Sequence, residues 1–321
     1  MEQFINKVIQ SDCVEFLRQL PSESVECCII DEPYNVLTNH KIEQGYNLDI
    51  ALEVRREIYR ILKKDGWFVW FGQFPSAYDY YTKTLEANFE PWKQCNEIVW
   101  CKRTVSSPFP PLLRIHENIF VFKKGNPIYY DNKAPYEDII VPQAFNGISS
   151  EENLQRYFAA LKQQIKAGTT KVGVLLVSGP RNDPMYSSYG NSTYQYQSEM
   201  KLPSIWSFAK ENRVHINSHN IKHPTVKPVL LLRRLVKLFT KTGDVVLDCF
   251  SGSGTTALAT IQEGRQFIGC EKDSEYVEIA NNRLATWKED LERQDQWLKQ
   301  RGVQDFDSDI AQDSDMQPKL F

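Results

Sequence analysis

No C-x-x-C pair occurs among the seven cysteines, Cys13, Cys27, Cys28, Cys95, Cys101, Cys249 and Cys270, and most sit inside apolar stretches. They predict buried, reduced thiols in a cytosolic protein. The Asn191-Ser-Thr sequon then reads as a chance match. No apolar run reaches the length of a membrane-spanning helix, and MEQFINKVIQ lacks the basic-then-apolar layout of a secretion signal. No internal repeat is visible. Excess positive charge is absent too: 38 Lys and Arg face 41 Asp and Glu, a net charge of −3. That argues against a uniformly basic nucleic-acid-binding surface. Neither GxxxxGK[ST] nor GxGxxG is present, so the phosphate-cradling loop and the dinucleotide fingerprint are both excluded.

What is present is an α/β pattern. At 321 residues the length prior is about two domains. A hydrophobic share of 41% and a charged share of 25% are ordinary for a globular protein. Strands are expected at 6–12, 25–31, 66–74, 96–103 and 117–125, with helices at 13–21 and 48–66. VECCIID is apolar from Cys27 to Ile30, as in a strand buried on both faces. From 126 to 221 the pattern loosens around a helix at 151–168, an apolar run at 172–178 and a Tyr/Ser/Asn/Gln-rich stretch at 185–197. Regular order resumes with a helix at 226–243, a strand at 244–250, a helix at 255–264, a strand at 265–273 and one long helix at 274–302, capped by Ser274. The expected domains are a first catalytic part at 1–125, an insert at 126–221, a second catalytic part at 222–303, and an acidic, disordered tail at 304–321.

Two strand ends carry the chemistry. In VVLDCFSGSGTT a buried strand ends in Asp248, turns through Gly252 and Gly254, and enters a helix at Thr255. Such a turn forms a ligand crevice at the carboxyl edge of a doubly wound sheet, though a tight turn without a ligand has the same pattern. Glu271 ends the next strand about twenty residues on, where an acid is placed to bind ribose hydroxyls. Together they predict an adenosine-containing ligand without a pyrophosphate, S-adenosylmethionine. In IIDEPYN another buried strand ends in Asp31, followed by Glu32, Pro33 and Tyr34. Alone, this also fits a β-turn with an aspartate at its first position.

DEPYN, HPTVKP (223–228) and DCFSGSGTT together resemble the amino-group DNA methyltransferases that use S-adenosylmethionine. The catalytic motif comes first, the variable region next and the cofactor motif last, which resembles their permuted β group. Protein-glutamine methyltransferases with NPPY place the cofactor motif first. The resemblance implies a Rossmann-like, mostly parallel sheet with helices on both faces and an inserted target-recognition domain. It implies Asp31, Glu32, Pro33 and Tyr34 as the catalytic motif. It implies cofactor contacts by Asp248, Phe250, Gly252, Gly254, Thr255, Thr225 and Lys227, by Glu271 at the ribose and by Asp12 at the adenine. It implies methylation of adenine N6 in double-stranded DNA through base flipping. Cytosine N4 is the alternative, although the N4 enzymes more often carry serine at the position of Asp31. Cytosine-C5 chemistry needs a cysteine, commonly in a Pro-Cys pair, and there is none. The family usually has proline where Glu32 stands. That glutamate could bring a second negative charge to the target, which leaves a catalytically impaired DNA-binding homologue as a further reading.

Charge is uneven along the chain. Residues 201–241 hold nine Lys or Arg and one Glu. Lys201, Lys210, Arg213 and Lys222 are candidate phosphate contacts. Tyr189 and Tyr194 are candidate base contacts, or parts of a loop packed on itself. His215, His219 and His223 are spaced by four, but Pro224 and the polar residues between them argue against one helix and a metal site. The tail carries five aspartates and one lysine, so the preceding 303 residues sum to +1. It ends in Gln317-Pro-Lys-Leu320-Phe321, which resembles the peptide by which bacterial DNA-processing proteins dock on the sliding clamp, and which also fits an unbound tail. Family resemblance further implies a homodimer.

Overall fold

The structure is a computed structural model that describes residues 1–33, 45–73, 77, 80–83, 92–102, 116–135, 199–201, 204–208 and 226–300. By contacts the chain divides into two units, Met1–Asn132 with Pro203–Phe306, and Lys133–Leu202 with Asp307–Phe321.

The first unit is built on an eight-stranded sheet. Its strands are β1 (Lys7–Gln10), β2 (Val25–Ile30), β3 (Leu62–Gly72), β4 (Lys93–Cys101), β5 (His116–Lys124), β8 (Ile205–Ser207), β9 (Val245–Asp248) and β10 (Gln266–Glu271). They lie in the order β1-β10-β9-β2-β3-β5-β4-β8. β5 is antiparallel to β3 and to β4, and every other neighbouring pair is parallel. This is the mostly parallel sheet that the sequence predicts. In the second unit, β6 (Lys133–Pro135) pairs antiparallel with β7 (Glu199–Lys201).

Side-chain alternation along the strands separates the two faces of the sheet. Cys28, Ile30, Phe68, Trp70, Leu247, Ile268 and Cys270 pack with α1 (Cys13–Arg18) and α2 (Leu48–Ile61) through Phe16, Leu17, Val54, Ile58 and Ile61. Phe267, one residue out of phase with Ile268, packs instead with Val8, Ala257 of α4 (Thr255–Gln262) and Ala280 and Leu284 of α5 (Ser274–Ala285). On β3, Trp67 meets Phe239 of α3 (Val229–Phe239), with ring centroids 5.1 Å apart. Helices therefore cover both faces, and the central strands read as largely apolar runs.

Connections from β9 and β2 run in opposite directions. β9 leads through α4 to β10 on one side, and β2 leads through α2 to β3 on the other. The strand order thus reverses between β9 and β2, and in open α/β sheets ligands bind at the carboxyl ends beside such a reversal.

Several element ends differ from expectation. The helix at 48–66 stops at Ile61, because the chain from Leu62 joins the sheet, where Leu62 pairs with Val25. Asp65, with φ at 66°, turns it within that strand. The long helix at 274–302 divides at Thr286 into α5 and α6 (Trp287–Gln300). The cap of α5 is Asp273, whose side chain accepts from the Glu275 amide at 2.8 Å, and not Ser274. Five cysteines are buried as expected, but Cys95 is exposed and Cys101 half-buried. Both lie on β4 near the sheet edge, and Cys95 sits at a break in the β4–β5 register. The elements expected at 151–168 and 172–178, the tyrosine-rich stretch and the tail lie outside the described residues.

Candidate active site

Four carboxylates close the carboxyl ends of four adjacent parallel strands. Asp12 follows β1, Glu271 ends β10, Asp248 ends β9 and Asp31 follows β2. Asp31 and Asp248 flank the reversal point.

Asp248 is 2% exposed and accepts the Phe250 amide at 2.9 Å. Burial pushes its carboxyl up to about 7; the Phe250 amide and Thr256 pull it down, while the nearby charges of Asp31 and Glu271 push it further up. The loop beyond it is shaped by glycines with φ of 49° at Gly252 and 78° at Gly254. A Cβ at Gly254 would fall 2.7 Å from the Ala280 Cβ, so α5 packs directly on this turn. Glu271 braces the same loop: one oxygen accepts the Gly252 amide at 2.8 Å and the other the Asp273 amide at 2.9 Å. Thr255 accepts from buried Arg283 at 3.1 Å, and Asp12 caps α1 through the Val14 amide at 2.9 Å. Each of these carboxylates keeps acceptor capacity for a ligand beyond the bonds named here, although Asp12 Oδ1 is taken up by the Val14 and Glu15 amides.

The Asp31 side chain is 24% exposed. Its Oδ2 is ion-paired with the ammonium of Lys227, and its Oδ1 is buried without a hydrogen-bond partner among the described residues. Burial raises the Asp31 carboxyl above the usual carboxylate range; Lys227 pulls it back, and the Glu117 charge adds to the rise. Lys227 also lies 3.5 Å from Glu117, which is ion-paired with Lys102. Burial works against the Glu117 charge, but Lys227 and Lys102 together outweigh it and hold that carboxyl below its usual range. The result is a row of alternating charges, Asp31, Lys227, Glu117 and Lys102, that crosses from β2 to the β4–β5 pair.

Glu32 departs from the expectation of a second charge at the target. It is 1% exposed and turned into the core. There the Arg55 guanidinium grips both of its oxygens, Nη1 meeting Oε2 at 2.9 Å, and the Tyr46 hydroxyl donates to it as well. Its charge is thus neutralised away from the crevice.

Asp12, Asp31, Asp248, Gly252, Gly254, Thr255 and Glu271 therefore gather along one sheet edge, with Phe250 in the loop after β9. Lys227, expected at the cofactor, has its ammonium on Asp31. Tyr34, Thr225, Tyr189, Tyr194, Lys210, Arg213, Lys222, Gln317, Leu320 and Phe321 lie outside the described residues, as does the side chain of Lys201 on β7. Sequence reasoning missed Arg55, Tyr46, Glu117 and Lys102. Arg55 was findable: it interrupts the apolar stripe of Ala51, Val54, Ile58 and Ile61 on α2.

The profile of a family described as DNA methylase matches residues 25–282. The chain is similar to the type II methyltransferase M1.MboII of Moraxella bovis, at 27% identity over 286 residues, covering 86% of this chain and 95% of that protein. It is similar to the DNA adenine methyltransferase YhdJ of Escherichia coli (strain K12), at 26% identity over 288 residues, covering 86% and 82%. Its fold is similar to that of TTHA0409 from Thermus thermophilus, solved with S-adenosyl-L-methionine, at a TM-score of 0.52 and 21% identity over 88% of this chain and 93% of that one.

Proposed function

The chain belongs to the DNA methylase family, and we propose that it transfers a methyl group from S-adenosylmethionine to adenine N6 in double-stranded DNA. The observation that carries this reading is the open, buried Oδ1 of Asp31 beside the glycine turn and carboxylates of Asp248 and Glu271. Its similarity to a named adenine methyltransferase, and aspartate rather than serine at the head of DEPYN, support adenine over cytosine.

The residues present fit S-adenosylmethionine. Its sulfonium and ammonium groups are cations, and the crevice presents Asp248 and Asp31, whose mutual repulsion a cation relieves. Asp248, Phe250, Gly252, Gly254 and Thr255 would hold its methionine side, Glu271 the ribose and Asp12 the adenine, with Thr225 and Lys227 completing the segment. When bound it supplies an electrophilic methyl group.

The chain's own residues then act on the target. An adenine amine is a weak nucleophile because its lone pair is conjugated into the ring. Asp31 Oδ1 accepts one amino hydrogen and the Glu32 carbonyl accepts the other, which favours a pyramidal nitrogen with an exposed lone pair. Lys227 works against the burial of Asp31 and favours its anionic form for this task. The catalysis is positional and electrostatic. Chemistry at this atom requires the base to leave the duplex. Tyr34 stacks on it, worth about 1–3 kcal/mol.

The insert at 126–221 is the target-recognition part in this proposal. Lys201, Lys210, Arg213 and Lys222 supply phosphate contacts, and Tyr189 and Tyr194 base contacts. The enzyme is bacterial or phage-encoded and cytoplasmic; both curated relatives above are bacterial, and among the described residues no helix is long and apolar enough to cross a membrane. Gln317, Leu320 and Phe321 dock on the sliding clamp, and two copies form a dimer. Removing 317–321 should abolish clamp capture and spare catalysis. The reaction itself is tested by tritiated-methyl transfer to mixed DNA followed by nucleoside analysis; tritium in N6-methyladenine supports it, and tritium in N4-methylcytosine or in neither base refutes it.

A further inference from the structure

The carboxylate of Glu32 has no place in the catalytic roles above, yet its surroundings are highly built. Its side chain and that of Arg55 are both 0% exposed. Arg55 is itself fixed: Nη1 donates to the Ala51 carbonyl at 2.9 Å, and the guanidinium lies over Trp70 at 4.5 Å and Tyr80 at 5.9 Å from the ring centroids. On the other side, the Tyr46 hydroxyl donates to Glu32 Oε2 while its ring meets Phe250 edge-on at 5.3 Å and Tyr80 at 6.3 Å. Phe250 belongs to the loop that follows Asp248. One carboxylate therefore ties the end of β2, helix α2 and the glycine-turned loop after β9 to one another.

We infer that Glu32, Arg55 and Tyr46 are positioning residues for methyl transfer: they fix the catalytic segment so that Asp31 faces the target, and couple it to the cofactor loop through Phe250. The inference rests on the methyltransferase reading. Leaving β2, the side chains alternate: Ile30 packs with α2, Asp31 meets Lys227, and Glu32 meets Arg55 of α2. Anchoring Glu32 inward thus sets the outward aim of Asp31, and a bidentate guanidinium fixes direction as well as distance. Where the family has a proline, which stiffens the backbone by itself, this chain uses a buried ion pair. Burial and then the Glu32 charge raise the Tyr46 hydroxyl well above its ordinary range, so it remains a donor throughout the working pH range.

A merely structural ion pair and a positioning one respond differently to replacement of both partners. A well-packed apolar pair often restores the stability lost when one partner is removed, but it cannot restore a directional grip. The test compares wild type, Glu32→Gln, Arg55→Met, Tyr46→Phe and the double variant E32M/R55M by tritiated-methyl transfer and thermal unfolding, at a temperature where each is folded. Glu32→Gln should lower kcat at least tenfold with both KM values within about twofold, since small misplacements of a reacting group are that costly. Tyr46→Phe should lower kcat severalfold. The double variant should recover the melting temperature of wild type and keep the low kcat. If Arg55→Met does not fold, Glu32→Gln and the double variant still decide. Wild-type kcat in Glu32→Gln, or a kcat that recovers with stability in the double variant, overturns the inference. An inactive wild type would instead sink the methyltransferase reading itself.

Discussion

The ammonium of Lys227 is ion-paired with the carboxylate of Asp31, although 196 positions separate the two residues. The pair joins the HPTVKP segment to the catalytic motif on the β3–β5 side of β2, and it pulls the Asp31 carboxyl down against its burial.

Removing that ammonium should impair catalysis in a pH-dependent way. Lys227→Met leaves Asp31 facing Glu117 and Asp248 without the nearest cation. The Asp31 carboxyl then rises further, so a smaller fraction is ionised at neutral pH. Activity at pH 7 should fall roughly 10²-fold, the scale of a lost electrostatic donor, and the acid limb of the kcat–pH profile should move to higher pH. A pH series of single-turnover rates measures this.

Glu117→Gln should move the same limb the opposite way. It removes a negative charge that raises Asp31, so Asp31 ionises at lower pH. It also takes away the carboxylate that faces Lys102, whose side chain is 7% exposed. Breaking a buried pair from one side costs about 3–5 kcal/mol, so the variant should melt well below wild type in a thermal scan even as its acid limb moves down.

Asp248 predicts a pH-dependent cofactor affinity. With its carboxyl at about 7, the anion that faces a cationic ligand forms only as pH rises through neutrality. Affinity for S-adenosylmethionine should therefore increase from pH 6 to 8, with proton release on binding, and Asp248→Asn should bind weakly without that release. Calorimetry in buffers of different ionisation enthalpy reads both. The sign for stability is opposite. The folded state holds this proton more tightly than the unfolded chain, so the stability it contributes is complete below the ordinary value of 3.8 and is lost as pH rises through about 7.

Gly254→Ala should be costly at a position that looks permissive. The residue has φ at 78°, and a new methyl would meet Ala280 at 2.7 Å. The left-handed backbone alone costs roughly 1–2 kcal/mol, and α5 must shift in addition. Lower thermal stability together with weaker cofactor binding is expected.

Much of the scaffold was legible because its signals are local. CCII (27–30) and VVL (245–247) are apolar runs each followed by an acid, so both β2 and β9 and the positions of Asp31 and Asp248 could be read directly. The ends of α2 and α5 could not. Ile61 and Thr286 carry no glycine or proline stop, and the first boundary is set by Leu62 pairing with Val25, a contact that exists only in the assembled sheet. The same limit applies at the site. Lys227 looks like part of a cofactor motif until the fold brings it to Asp31, and Glu117 and Lys102 look like ordinary strand-end charges. Glu32 was legible only as a departure from the family motif; its direction depends on Arg55, one buried charge on an otherwise apolar helix face.

The most direct measurement of the central claim is nucleoside analysis of unmethylated duplex DNA after incubation with S-adenosylmethionine and either wild type or Asp31→Ala. The account predicts N6-methyladenine from the wild type, and none from a folded Asp31→Ala variant that still binds the cofactor. N6-methyladenine from the variant at the wild-type rate, or a different methylated base from the wild type, would contradict it.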